Sequence, residues 1–127
     1  MSNKVGLKFP KPKKVKKSTL KKKCDVLFST RIRSIGFCVV PSIECKHGGQ
    51  LQCAHIISRW NLRLRWDEMN ALCLCAGHHR FYTTRPLEWA ELIKNLFSAQ
   101  YTYVMRHKNE LNEETLEDTY KRLTVGI

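Results

Sequence analysis

The stretch 38–80 holds five of the six cysteines and four of the five histidines of this chain, a density that points to metal binding. Structural zinc takes four Cys or His ligands in a tetrahedron, commonly as two close pairs from separate parts of a chain. Cys75 and His78, separated by Ala76 and Gly77, have the short gap that lets a turn entering a helix present both side chains to one ion. Cys38 and Cys45 would be the second pair; their spacing is wide, so the loop between them must bulge, and His47 is a rival for either cysteine. Cys53 and Cys73 have strongly apolar neighbours, where cysteine behaves as a small core residue. Cys24 and His107 have no partner nearby in sequence and read as surface or core residues.

The elements that must position these groups fit one domain, since 127 residues leave little room for a second. With 43% hydrophobic residues an ordinary core can form, and the longest uncharged stretch, near 95–105, is too short and polar to cross a bilayer. No apolar run follows the basic N-terminus as a secretory signal would require, so a reducing cytosol is expected. Disulfides would then not account for the cysteines.

The net charge of +12 is uneven. Residues 1–23 carry ten lysines and no acid, with Pro10 and Pro12 among them, and read as a disordered basic arm that holds phosphates without reading sequence. The run 11–17 also resembles a nuclear import signal, and a solubilising tail is the plain alternative. Residues 24–127 form the domain proper. Arg31, Arg33, Lys46, Arg59, Arg63, Arg65, Arg80 and Arg85 make its middle basic, whereas the chain from Pro86 onward is slightly acidic. A polyanion would therefore meet the arm and the middle of the domain.

Apolar spacing predicts a short helix over 26–35 ending at Gly36. An irregular loop that needs an external staple follows over 38–50, then a strand over 51–58, a polar connection over 59–69 and one or two helical turns over 76–82. Pro86 sets a helix start, with Leu87, Ala90, Ile93, Leu96 and Phe97 as its apolar stripe. A helix over 99–108 should turn Tyr103 and Val104 inward. The last should begin after Asn112, with Glu113 and Glu114 at its positive end, and run to about Leu123. These C-terminal helices read as scaffold.

The segment Leu51-Gln52-Cys53-Ala54-His55-Ile56-Ile57-Ser58-Arg59, followed by Asn70-Ala71-Leu72-Cys73-Leu74-Cys75-Ala76-Gly77-His78-His79, resembles an HNH endonuclease. The family pattern has a histidine ending a first strand, an asparagine some fifteen residues on, and a last His or Asn in the helix; His55, Asn70 and His79 match in type and spacing. Within the family, Arg65-Trp66-Asp67-Glu68-Met69-Asn70 and the strand Cys53-Ala54-His55-Ile56-Ile57-Ser58-Arg59 resemble phage recombination endonucleases of the Rap/NinG kind and related phage HNH proteins, and the resemblance covers about 36–96. The resemblance implies an α+β fold: a small ββα-metal motif with structural zinc, followed by C-terminal α-helices.

The resemblance also implies roles. Phosphodiester hydrolysis needs a base for the attacking water, and a neutral imidazole suits pH 7; His55 is that base. His79 would be the ligand of a catalytic divalent ion, Mg²⁺ or Mn²⁺, which offsets charge on the leaving oxygen. Asn70 would tie the connecting loop and so hold the base. Neighbouring helical residues point about 100° apart, so His78 can close the zinc site while His79 faces DNA. Many HNH chains carry a second ligand just before the base, where this chain has Ala54; Asp67, or water and phosphate, would complete the ion's shell.

Arg59, Arg63 and Arg65 should border the cleft and Arg80 follows the ligand, and forked guanidinium groups suit phosphates; a solvated basic loop is the alternative for Arg63 and Arg65. Trp60 and Trp66 would stack on unpaired bases or pack in the core. The expectation is a metal-dependent DNA endonuclease giving 5′-phosphate ends. Branched DNA is the implied substrate, and a homodimer follows if paired incisions are made. The alternative is a non-catalytic zinc module that binds nucleic acid.

Overall fold

Two short strands occupy the centre of the molecule. In the computed structural model, which describes residues 16–41 and 50–125, β1 (Leu51–His55) pairs antiparallel with β2 (Ala71–Cys75), Leu51 lying opposite Cys75 and His55 opposite Ala71. Side chains alternate between the two faces of such a pair. Ala54, Leu72 and Leu74 accordingly join Cys38, Val40 and Ile93 in one buried cluster, while Cys53 and Ala71 pack with Cys24, Phe28, Trp66 and Leu123 in another. Both faces are covered, which explains why β2 is an unbroken apolar run and not an alternation.

The remaining described elements are helical, so the fold is α+β, mostly helical around a two-stranded sheet. Helix α1 (Lys17–Arg33) packs on α6 (Leu116–Thr124). Cys24, Phe28 and Ile32 recur every fourth residue and meet Leu116, Tyr120 and Leu123; burying a side chain such as Phe28 stabilises by about 1.5–3 kcal/mol. The helix therefore starts well before the expected 26, and the basic arm expected through Lys23 has already become helix at Lys17. On this helix Lys17, Lys22 and Lys23 are exposed and Lys21 is half-buried, beside a stripe that has a partner. Residues 1–15 lie outside the described part.

After β1 the chain forms the short α2 (Leu62–Arg65) and a 3-10 turn (Glu68–Asn70) before β2, then α3 (Ala76–Thr83), α4 (Pro86–Leu96) and α5 (Ser98–His107). Pro86 opens α4 as expected. Its buried face is rotated from the expected stripe, however: Ile93 is buried and Trp89, Leu92 and Phe97 pack beside it, whereas Leu87 and Leu96 are exposed. The indole, not Leu87, supplies the large apolar group toward the sheet. Val104 of α5 is buried as expected, and Tyr103 turns its hydroxyl to Asp67. Helix α6 begins at Leu116, not after Asn112, because Thr115 caps it by accepting from the Asp118 N–H at 3.1 Å. Glu117 and Asp118, not Glu113 and Glu114, occupy its first turn.

The segment before the sheet is partly described. Cys38 and Val40 are buried, and the Val39 N–H donates to the Cys73 carbonyl at 3.0 Å, fastening this stretch along β2. No helix among the described residues is long and apolar enough to cross a membrane.

Candidate metal centre and histidine cleft

Cys38, Cys75 and His78 converge, their ligand atoms all within 4.8 Å of one another, and the group could hold a metal ion. Cys75 ends β2 and caps α3, its sulfur accepting from the His78 N–H at 3.4 Å. The first turn of the helix then carries the His78 ring back, with Nδ1 at 3.3 Å from Cys38 Sγ and 3.4 Å from Cys75 Sγ. Around a tetrahedral ion with typical zinc bond lengths, sulfur and nitrogen ligands sit about 3.5 Å apart, so two thiols and an imidazole at these separations fit such an ion. Cys45, expected as the fourth ligand, and His47, its rival, lie outside the described residues.

Of the cysteines kept out of this set, Cys24 and Cys73 are buried and Cys53 is half-buried. Burial pushes the Cys53 thiol up to about 12, as suits an unreactive core thiol.

Beside the metal centre lies a cleft of about 420 Å³ lined by Ala54, His55, Ile56, Ser58, Leu74, His79, Tyr82, Thr83, Pro86 and Trp89. His55 and His79 thus share one cavity. The His55 Nε2–H donates to the Arg65 carbonyl at 2.9 Å, and the ring rests against Phe28 at 5.5 Å between centroids. A carbonyl can only accept, so the neutral ring carries its lone pair on Nδ1. His79 is anchored in the same way through its other nitrogen: Nδ1–H donates to Gln52 Oε1 at 2.7 Å, which leaves the lone pair on Nε2. Burial lowers the pKa of both rings; for His55 the bond to the Arg65 carbonyl opposes that shift in part. Both are therefore neutral near pH 7.

Asn70 is fully buried. Its Oδ1 accepts from the Ile57 N–H at 2.7 Å, and its amide nitrogen donates to the carbonyls of Ile57 and Leu64, each at 3.0 Å. One side chain thereby ties both ends of the connection that runs from His55 to the carbonyl of Arg65.

The four arginines divide into two pairs. Arg63 donates to Asp67 and Glu110, each at 3.0 Å, and its bond to the Tyr103 hydroxyl, with those to the two carboxylates, raises its pKa further. Arg65 grips Asp25 through Nε at 3.0 Å and Nη2 at 2.6 Å. Both guanidinium groups, expected to meet phosphates, already have carboxylate partners within the protein. Arg59 is 59% exposed and lies 3.7 Å from Asp25, and Arg80 is exposed on α3. Asp67 does not line the histidine cleft; its carboxylate takes Arg63, Tyr103 and the Met69 N–H beside a separate cavity. The tryptophans also part company. Trp66 is buried and donates to Asp25 at 2.9 Å, whereas Trp60 is 93% exposed.

Two contributors escaped the sequence reading. Gln52, which fixes His79, sits on the strand two residues before Ala54, and its match to the helix is visible only in three dimensions. Asp25 gave one faint signal: it is the first acid in the chain, with the next at Glu44. In comparison with protein-family models, with curated proteins and with solved structures, nothing matches this chain.

Proposed function

We propose that this chain is a metal-dependent DNA endonuclease of the HNH kind, hydrolysing a phosphodiester bond to leave 5′-phosphate and 3′-hydroxyl ends. One observation carries the reading: His55 and His79 line a single cleft, and each is anchored through one ring nitrogen so that the other keeps its lone pair. Neither a core histidine nor a binding module needs two neutral imidazoles so arranged. In this reading His55 Nδ1 takes the proton of the attacking water, and the Arg65 carbonyl stabilises the imidazolium that results. Asn70 orients the base by holding the connection that carries that carbonyl.

A divalent ion, Mg²⁺ or Mn²⁺, held by His79 Nε2 and a DNA phosphate would offset charge on the leaving oxygen. Among the described residues that line the cleft there is no carboxylate, so the ion should bind weakly before DNA arrives. We assign zinc to the centre of Cys38, Cys75 and His78, with Cys45 as fourth ligand. His78 and His79 are successive residues of α3, so an ion at His78 pins the helix that presents His79. Arg59 and Arg80, with their exposed guanidinium groups, are the arginines we assign to phosphates. Branched DNA and a homodimer making paired incisions are the corresponding proposals for substrate and assembly.

The missing carboxylate also favours one competing reading, a zinc module that binds nucleic acid without cutting it. Incubating purified protein with supercoiled plasmid and with a four-way junction, in Mg²⁺ or Mn²⁺, separates the two. Cleavage by wild type and a loss of about a hundredfold or more in His55→Ala are expected. Equal cutting by both would remove His55 as the base; binding without cutting under any ion would favour the module.

A further inference from the structure

Asp25 lies outside the region that resembles a nuclease, yet its carboxylate gathers the connection on which His55 depends. On α1, it accepts from Arg65 Nε at 3.0 Å and Trp66 Nε1 at 2.9 Å through one oxygen, and from Arg65 Nη2 at 2.6 Å through the other. Arg59 stands 3.7 Å from that second oxygen. Burial alone would raise the pKa of this carboxyl, but the hydrogen bonds and charge of Arg65 lower it overall, so it is ionised near neutral pH. Arg65 uses Nη1 to hold the Arg59 carbonyl at 3.2 Å, stacks on the Trp66 ring at 5.2 Å, and offers its own carbonyl to His55. A bidentate pair fixes a guanidinium in orientation as well as position.

We propose that Asp25 is a positioning residue for the base: by clamping Arg65 and Trp66 against α1, it holds the Arg65 carbonyl on Nε2–H of His55 and so keeps the lone pair on Nδ1. Phe28, one helical turn beyond Asp25, backs the same ring. Helix α1 thus sets the tautomer of a side chain on β1 through the loop between the strands. The kinetic consequence rests on the nuclease reading; the tautomer does not. Arg65 serves the cleft through its backbone carbonyl, with its guanidinium turned to Asp25 and away from any phosphate role.

The test uses the full chain with its metal, comparing wild type with Asp25→Asn, Arg65→Lys and Leu27→Ala. Leu27 packs against the same cluster as Phe28 and Trp66, but its side chain makes none of the clamp's hydrogen bonds, so Leu27→Ala reports loosened packing alone. Nitrogen-15 spectra of the histidine rings near neutral pH should show wild-type and Leu27→Ala His55 as a single Nε2–H tautomer. In Asp25→Asn and Arg65→Lys the two tautomers should mix. Plasmid cleavage should fall about tenfold to a hundredfold in kcat for those two variants, with KM unchanged, and stay near wild type in Leu27→Ala.

A pure Nε2–H tautomer in both clamp variants, or the same mixing in Leu27→Ala, would overturn the proposal. Should Asp25→Asn not fold, Arg65→Lys decides alone, since it keeps the charge and removes only the fork. If wild type cuts no DNA, the nuclease reading fails while the ring spectra still decide whether Asp25 sets the tautomer.

Discussion

The metal centre and the histidine cleft share a helix and a strand, yet they are built on different principles. At the centre, Cys38, Cys75 and His78 touch one another, and an ion would supply the cohesion. In the cleft, each histidine is held by something that is not a ligand: a backbone carbonyl for His55, a glutamine for His79, and Asn70 for the connection between the strands. One region would depend on what it binds, whereas the other rests on pre-formed hydrogen bonds. The two should therefore break in different ways.

The largest difference concerns metal removal. Binding of structural zinc in small domains is worth about 10–16 kcal/mol, as large as the roughly 5–15 kcal/mol that holds a whole domain together. Cys75→Ser, or a strong chelator, should abolish the cooperative thermal transition followed by circular dichroism. Elemental analysis should find one zinc per chain in wild type and none in the variant. Cys53→Ala, which deletes a half-buried sulfur outside the centre, should keep its zinc and lose only about 1 kcal/mol. If Cys75→Ser melts like Cys53→Ala, the contrast between the two regions disappears.

The same contrast governs what could be read from the sequence. Cys75 and His78 were legible because a two-residue gap at a helix start brings ligands together by local geometry alone. Cys38 needed a guess about a loop, yet it was reachable because few residue types can bind the ion. The pattern His55, Asn70 and His79 was visible as spacing, but what orients the rings was not. Gln52, Asp25 and the Arg65 carbonyl are ordinary groups, and only the tertiary fold gives them a task. Arg63 and Arg65 show a related limit: a basic loop looks like a phosphate clamp until its carboxylate partners come in from distant parts of the chain, Asp25 from α1 and Glu110 from the turn after α5. Of the fold, the start of α4 was set by Pro86. The extent of α1 was hidden because its lysines outweighed a stripe that only α6 completes.

A smaller effect separates a held loop from a held ion. Asn70→Ala would leave the Ile57 N–H and carbonyl without this partner, while the Leu64 carbonyl would keep the Asp67 N–H at 3.1 Å. Each buried group so orphaned costs about 1–3 kcal/mol, and loop relaxation should bring the total to about 3 kcal/mol by urea denaturation. Zinc should be retained, because the Asn70 side chain bonds to Ile57 and Leu64 and not to Cys38, Cys75 or His78. Loss of zinc in Asn70→Ala would mean that the loop and the metal centre form one cooperative unit.

The smallest effect is the response to pH, and its sign follows from burial. His55 and His79 are depressed below the ordinary 6.5, so the folded chain takes up their protons later than the unfolded chain does. Above about pH 6.5 both states leave these rings neutral, and stability does not change on their account. As the pH falls through that value the unfolded chain gains protons first, and stability declines until the folded rings protonate as well. Activity should obey the same order: the acid limb of kcat/KM belongs to the free base, so its midpoint should lie below 6.5 with a slope of one. A steeper limb that coincides with loss of zinc would trace the acid sensitivity to thiolates at the metal centre, because displacing a metal from two sulfurs and an imidazole takes up several protons. A midpoint above 6.5 with zinc retained would mean that the titrating group is not the buried His55.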